Sequence, residues 1–477
     1  MTPPKDIREL SRDDLLVLVA AHHEQVVRLQ HQLDEAMATI EELRKENAEL
    51  RRNSQRQAAP FSKGRHAAKP RKPGRKPGIG SFSYRKPPSP EEVTEPPVDV
   101  PVTAEVCPGC GGRLQQERVD RAYVTDIPPI PQPRVTEYRV EVCRCMSCGK
   151  AVRGQHPNLS PDQYGASAHR VGKRTMAAAH TLHYGVGIPV RKVPGVLNIL
   201  TGVGLTQGAI TQDALRRARG AVGTAYQKLR ASVKDSKTVH TDDTGWRVGG
   251  KPAFLMVFET EVATVYQVRS RHRNEEVREV IPSGYQGVMV TDRGRSYDAQ
   301  ALAEVKQQKC LSHVLRSISE VVETKHGRGR SYGKRLKHLL RDAMGLWRGY
   351  HRGDPTDFPS EADRLKREVT YHLRDRPLKD PDNWRLQNEL GWHNDRGNLL
   401  RFLDDPSIEP TNNRAERALR PAVIARKVSH CSKNDEGADA FSAFASVIRT
   451  LTRRSDQSPV DGLCQVFTGT PAHSSSI

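Results

Sequence analysis

Apolar residues between Val26 and Leu50 recur at alternating steps of three and four: Val26, Leu29, Leu33, Ala36, Ile40, Leu43, then Asn47 and Leu50. The surrounding stretch from Asp13 to Arg52 is rich in helix formers and has neither Pro nor Gly. This spacing predicts a heptad seam of four repeats with Asn47 at an a position, where a buried amide can pair with its counterpart in a second copy. The expectation is a parallel coiled coil that makes the chain a homo-oligomer; the alternative is an amphipathic helix packed on its own domain. Residues 161–235 also read as helical, with "PVRKVPGVLNILTGVGLTQGAITQDALRRARGAV" shaped like two helices about a Gly-containing turn. That pattern suits a helix-turn-helix or a bundle leading into the next domain. From 237 to 300 the period shortens to that of strands: "KTVHTDD", a "GG" turn, "KPAFLMVFE" and "VATVYQVRS", then a helix "RNEEVREVI" and a strand "QGVMVTD". Residues 301–405 return to a mostly helical, basic pattern.

Three meander strands, a crossover helix and a further strand predict an α/β, ribonuclease-H-like catalytic core with a large, mostly helical insertion. In that arrangement the first and fourth strands lie side by side in parallel. Asp242 and Asp292, fifty positions apart, then come together at neighbouring strand ends. Two such carboxylates repel unless a cation lies between them, and Mg2+ (or Mn2+) suits oxygen ligands that also face phosphate. The alternative is that Asp242 or Asp243 opens the turn and Asp292 caps a helix. Of the adjacent pair Asp242 is the expected ligand, because neighbouring strand positions face opposite sides. Two-metal phosphoryl transfer needs a third acid. Glu416 in "IEPTNNRAERALRPAVIARKVSH" is the candidate, in a helix expected to end near Pro421, with Glu409 next in line. Asn413 and Glu416 also have capping-box spacing. Arg414, Arg417, Arg420, Arg426 and Lys427 around them suit phosphate contacts.

Composition adds a partner. The 477-residue chain carries a formal net charge of +20, which favours a polyanion such as duplex DNA. Residues 51–89 hold twelve Lys and Arg and no acid, interleaved with Pro and Gly. This stretch reads as a disordered phosphate-attracting tether, with Arg71, Lys72, Arg75 and Lys76 at its centre. Two Cys-x-x-Cys pairs, Cys107/Cys110 and Cys145/Cys148, are separated by 34 residues and followed by glycines. Four thiolates so spaced predict one structural Zn2+ in a small β-rich module, with Cys143 as a competitor to Cys145. No long apolar run or leader pattern is evident, so the expected setting is cytoplasmic and nucleoid-associated, with no membrane partner.

The motifs "TDDTGWRVGGK", "GVMVTDRGRSY", "CLSHVLRSI", "TNNRAERALRPAVIARKVS" and "SVIRTLTRR", in that order, resemble the insertion-sequence sixty-six (IS66) type of DDE transposase. The N-terminal helix, basic linker and Cys pairs match its layout, and the Asn-Asn-x-x-Glu-Arg block is the most specific element. The resemblance implies a DDE triad carried by Asp242, Asp292 and Glu416, Mg2+-dependent cleavage at element ends, and transfer of the 3′-OH into target DNA. It also leaves room for small accessory proteins encoded by the same element. Asp243 stands where the family is expected to show Glu. A non-catalytic DNA-binding regulator, or a ribonuclease-H-fold nuclease that cuts without joining, are the alternatives. The expected organisation is a coiled-coil helix over 1–52, a linker over 53–101 and a zinc module over 102–158. A helical DNA-binding or connecting region follows over 159–235. The catalytic domain spans 236–455, with its insertion at about 315–405, and a tail runs over 456–477.

Overall fold

The computed structural model describes residues 11–54, 87–125, 133–156, 159, 171–355, 357–429, 431–454 and 457–469. The linker residues Arg71, Lys72, Arg75 and Lys76, and the side chains of Asn47 and Leu50, lie outside this description. The chain divides into two units, Lys63–Gly154 with Gly195–Gly204, and the remainder. The smaller unit carries a hairpin of β1 (Val142–Arg144) and β2 (Ala151–Arg153).

In the larger unit α1 (Arg12–Ser54) is one 43-residue helix. Along it Val26, Leu29, Leu33, Ala36, Ile40 and Leu43 are all exposed. The helices α2 (Lys173–His180), α4 (Gln207–Arg219) and α5 (Ala221–Ser232) follow, while most of α3 (Val193–Thr201) belongs to the smaller unit. Residues of α2, α4 and α5 (Met176, Ala214, Val222 and Tyr226 among them) are buried in the main core, so α4 and α5 serve as a bundle on the sheet. A five-stranded mixed sheet comes next: β3 (Thr238–Val248), β4 (Lys251–Glu259), β5 (Thr264–Arg269), the short α6 (Asn274–Arg278), β6 (Val288–Thr291) and β7 (Lys306–Lys309). Its order is β5-β4-β3-β6-β7. The meander strands pair antiparallel, while β6 pairs in parallel with β3 and β7 with β6. The first and fourth strands are therefore parallel neighbours, as the sequence pattern required.

Three features depart from the sequence expectation. Strand β3 does not stop at the aspartates. Its pairing with β4 runs on to Val248, whereas its pairing with β6 ends at His240. Asp242 thus stands where one neighbour has peeled away, leaving room beside the strand. The crossover helix α6 is only five residues long. Strand β7, "KQQK", has no apolar alternation, yet Gln307, Gln308 and Lys309 are all buried. Both amide nitrogens find internal acceptors: Gln307 Nε2 donates to Tyr297 O at 2.7 Å, and Gln308 Nε2 to Leu399 O at 2.9 Å.

One face of the sheet (Val239, Met256, Phe258, Val265, Met289) packs under α2, α4, α5, α12 (Asp435–Arg453) and α13 (Pro459–Thr468). The other face (Leu255, Val257, Tyr266, Val268) meets α11 (Asn413–Ser429) and part of α12. Between β7 and α11 the chain forms α7 (Leu311–Glu323), α8 (Gly327–Arg352), α9 (Phe358–Arg374) and α10 (Pro381–Asp395). They share a second core that reaches Val288 and Val290 of β6. An open edge strand invites foreign pairing. Here α12 closes it, because Thr450, Ser446 and Ser442, one turn apart, accept the N–H groups of Thr264, Tyr266 and Val268.

Lys309, fully buried, pairs with Asp298 at 2.7 Å and reaches Thr291 Oγ1 at 3.3 Å, which ties the loop after β6 to the sheet. Lys309→Met should cost roughly 3 kcal/mol, because it leaves the Asp298 carboxylate without its partner. Denaturant unfolding measures this, and the double variant Lys309→Met/Asp298→Leu should recover most of the loss. A cost below about 0.5 kcal/mol would show that the pair does not hold the loop.

Candidate active site

Four chain segments meet at the open end of β3, and hydrogen bonds at Thr241, Thr291, Cys310 and Asn412 fix how they meet. Cys310 N–H donates to Thr291 O at 2.7 Å, joining the start of α7 to the end of β6. Leu311 N–H donates to Pro410 O at 2.9 Å. Asn412 closes the set: its N–H donates to Cys310 Sγ at 3.2 Å and its Nδ2 to Thr241 O at 2.8 Å. Asn412 is fully buried, and its carbonyl accepts Glu416 N–H at 3.2 Å, making it the first residue behind α11. Thr241, Thr291 and Asn412 are stitched together, so Asp242, Asp292 and the first turn of α11 have little freedom to separate. The Asn doublet was the sequence signal, but its role as a clamp was not legible there.

Asp242 is partly buried, and its Oδ1 accepts the N–H of Asp243 at 2.9 Å. Burial, reinforced by the charges of Asp292 and Asp243, pushes its pKa up to about 7 despite that hydrogen bond. Asp292 Oδ1 accepts Gly294 N–H at 2.8 Å, and a Cβ on Gly294 would lie 2.9 Å from that oxygen. Only glycine leaves the Asp292 carboxylate in place. Asp243 is engaged differently: His272 Nδ1 lies 3.1 Å from its Oδ1. Burial opposes the charged imidazole, but the Asp243 hydrogen bond and nearby carboxylates outweigh it, so the pKa of His272 rises. His240, on the same strand face as Asp242, is buried and neutral; burial and the Arg414 charge pull its pKa to about 3.

Glu416 lies in the first turn of α11, within 4.8 Å of both Cys310 and His313 by their ligand atoms. The pKa of His313 rises through the adjoining Cys310 thiol and, more weakly, through the charges of Asp292 and Glu416. His313 also bears on Asp242, so one imidazole senses all three acids. The capping-box alternative does not fit. The residue before the helix is Asn412, which puts Glu416 at the fourth helical position, not the third. Nor does the helix end near Pro421; α11 continues to Ser429, because a proline deprives it of one hydrogen bond only. Glu409 stands apart, paired with Arg414 at 3.8 Å.

The basic residues of α11 divide. Arg414 donates to Thr260 O at 3.2 Å, and Arg426 to Thr244 Oγ1 at 3.1 Å and to Gly245 O, so both fasten the helix to the sheet. Arg417, Arg420 and Lys427 are exposed. In the smaller unit each Cys-x-x-Cys pair forms a tight turn: Gly111 N–H donates to Cys107 O at 2.8 Å and Gly149 N–H to Cys145 O at 2.9 Å. Backbone hydrogen bonds lower the pKa of Cys107 and of Cys145. Cys143 lies in β1, outside the second turn. No three of these thiols come within 4.8 Å of one another; among the described residues only Cys310, His313 and Glu416 form such a group.

The parallel neighbours β3 and β6 thus carry Asp242 and Asp292 just beyond their last paired residues, and the first turn of α11 adds Glu416. The family model described as "Transposase IS66 family" matches residues 169–440, more than half of the chain. The protein belongs to the IS66 family of transposases. No curated protein matches the sequence. Among the described residues no helix is long and apolar enough to cross a membrane.

Proposed function

We propose that the chain cuts DNA at the ends of an insertion element and joins the liberated 3′-OH to target DNA, using Asp242, Asp292 and Glu416 on a ribonuclease-H-like core. The observation that supports this reading is the β3–β6 parallel pairing, which ends two residues before both Asp242 and Asp292, with the Asp292 charge bearing on Asp242. The donor set fits a hard divalent cation, Mg2+ or Mn2+: oxygen ligands, and an Asp242 whose ionised form is destabilised until positive charge arrives. Asp242, Asp292 and Glu416 would hold such ions, which would supply activation of the attacking oxygen and stabilisation of the leaving one. The chain's own work is positioning. Asn412 holds the three segments, Gly294 orients Asp292, and His272 turns Asp243 away from the ligand role. Arg417, Arg420 and Lys427, with Arg71, Lys72, Arg75 and Lys76 of the linker, supply cations for the DNA backbone.

Labelled element ends, target plasmid and Mg2+ test this directly. Joined product supports a transposase that completes both steps. Cleaved but unjoined ends would identify a nuclease, and intact ends a DNA-binding regulator or a dependence on accessory proteins from the same element.

Two supporting parts have separate tests. The exposed seam of α1 supports self-association as a coiled coil, since water is a poor neighbour for six aligned apolar positions. Deleting residues 1–52 should lower the mass by light scattering; an unchanged mass would refute it. The two Cys turns support a structural Zn2+ held by Cys107, Cys110, Cys145 and Cys148 once the pairs close on the ion. Purified protein should carry this zinc, and Cys110→Ser or Cys148→Ser should release it. Wild-type protein without zinc would contradict the assignment.

A further inference from the structure

Cys310 and His313 have no part in the cut-and-join chemistry proposed above, yet both face it. Cys310 immediately precedes α7, its backbone held by Thr291 and its sulfur touched by the Asn412 N–H. The thiol is fully buried. His313 follows three residues on, in the first turn of α7, which puts the two side chains on one side of the helix start. His313 Nδ1 is buried without a hydrogen-bond partner. Glu416 completes the group, with all three ligand atoms within 4.8 Å of one another. A tetrahedral zinc-type ion at about 2.0–2.3 Å from each ligand needs ligand separations of roughly 3.3–3.8 Å. Side-chain shifts of about 1 Å would close that gap.

Sulfur, imidazole and carboxylate together select against Mg2+, which prefers oxygen, and favour a borderline or soft ion. We propose that Cys310, His313 and Glu416 form a second metal site, selective for a thiophilic divalent cation of the zinc class. Its occupation draws Glu416 away from Asp242 and Asp292 and silences the enzyme. Binding stands on the geometry of the three ligands alone; the silencing rests on the role proposed for Glu416.

Full-length protein, stripped of metal and held in excess Mg2+, is titrated with Co2+ while the thiolate-to-cobalt absorption and the bound equivalents are read. Wild-type protein should take up one more equivalent than either Cys310→Ser or His313→Asn. The paired-cysteine turns are common to all three proteins and cancel in the difference. Glu416→Gln should weaken this last equivalent at least about tenfold. Equal uptake by wild type and His313→Asn, a partly buried position whose variant should fold, overturns the site. In a second arm Zn2+ is titrated against Mg2+-dependent cleavage, each protein normalised to its own zinc-free rate. The inhibition midpoint should rise at least about tenfold in His313→Asn. Zinc bound at this site without inhibition overturns the silencing and counts against Glu416 as a catalytic ligand. Absent binding with normal cleavage overturns the new site alone.

Discussion

Metal-free Asp242→Asn is expected to be more stable than the wild-type chain at pH 8, and to lose cleavage and joining together. The carboxyl of Asp242 is raised to about 7 in the folded protein from an ordinary value of 3.8. Below about pH 4 the group is protonated in both folded and unfolded chains, and costs nothing. Between that point and about pH 7 the unfolded chain releases a proton that the folded chain keeps, so stability falls as pH rises. Above pH 7 the penalty is complete, on the order of 4 kcal/mol, and the amide does not suffer it. Urea unfolding in chelator at pH 4 and pH 8 should show the gap between the two proteins opening with pH. Mg2+ should raise the stability of the wild type more than that of the variant. Activity should drop at least about a hundredfold, since the charge that destabilises the empty site is the one that binds the ion. A variant no more stable than wild type at pH 8 would mean that Asp242 does not face a charged, desolvated site.

Glu416→Gln is expected to fold and bind DNA normally but neither nick nor join. The glutamine keeps the size and shape of the side chain at the fourth position of α11, so stability should change by less than about 0.5 kcal/mol. The amide oxygen is a weaker donor to a hard cation, and the Asp242–Asp292 repulsion is then less well compensated. Thermal unfolding and DNA binding check the first half; the labelled-end assay checks the second. Robust Mg2+-dependent cleavage by this variant would remove Glu416 from the triad and turn attention to Glu409.

Much of this centre was readable in the sequence because its elements carry strong patterns. The apolar runs of β4 and β5, the run "VMV" before Asp292 and the Asn-Asn-x-x-Glu block each mark a position where burial leaves few options. What was not readable depended on partners distant in sequence. Strand β7 is polar, and its burial depends on distant backbone groups: Leu399 and Phe402 bond to Gln308, and Tyr297 accepts from Gln307. Arg414 and Arg426 look like phosphate ligands until the carbonyls of Thr260 and Gly245 occupy them. Pro421 reads as a helix stop, yet tertiary packing of Ala418, Leu419 and Ala422 against the sheet carries α11 past it. Cys310 and His313 were visible as "CLSH", but nothing local placed them beside Glu416.

The convergence of three acids on one ion is the central claim, and iron-directed cutting tests it most directly. Fe2+ replaces Mg2+ at oxygen-rich sites, and with ascorbate and peroxide it breaks the polypeptide next to where it is bound. Cuts should group at the segments around Asp242, Asp292 and Glu416, fade as Mg2+ is added, and vanish in Asp242→Asn. Cuts beside Asp242 and Asp292 that spare the start of α11, or cuts indifferent to Mg2+, would contradict the account.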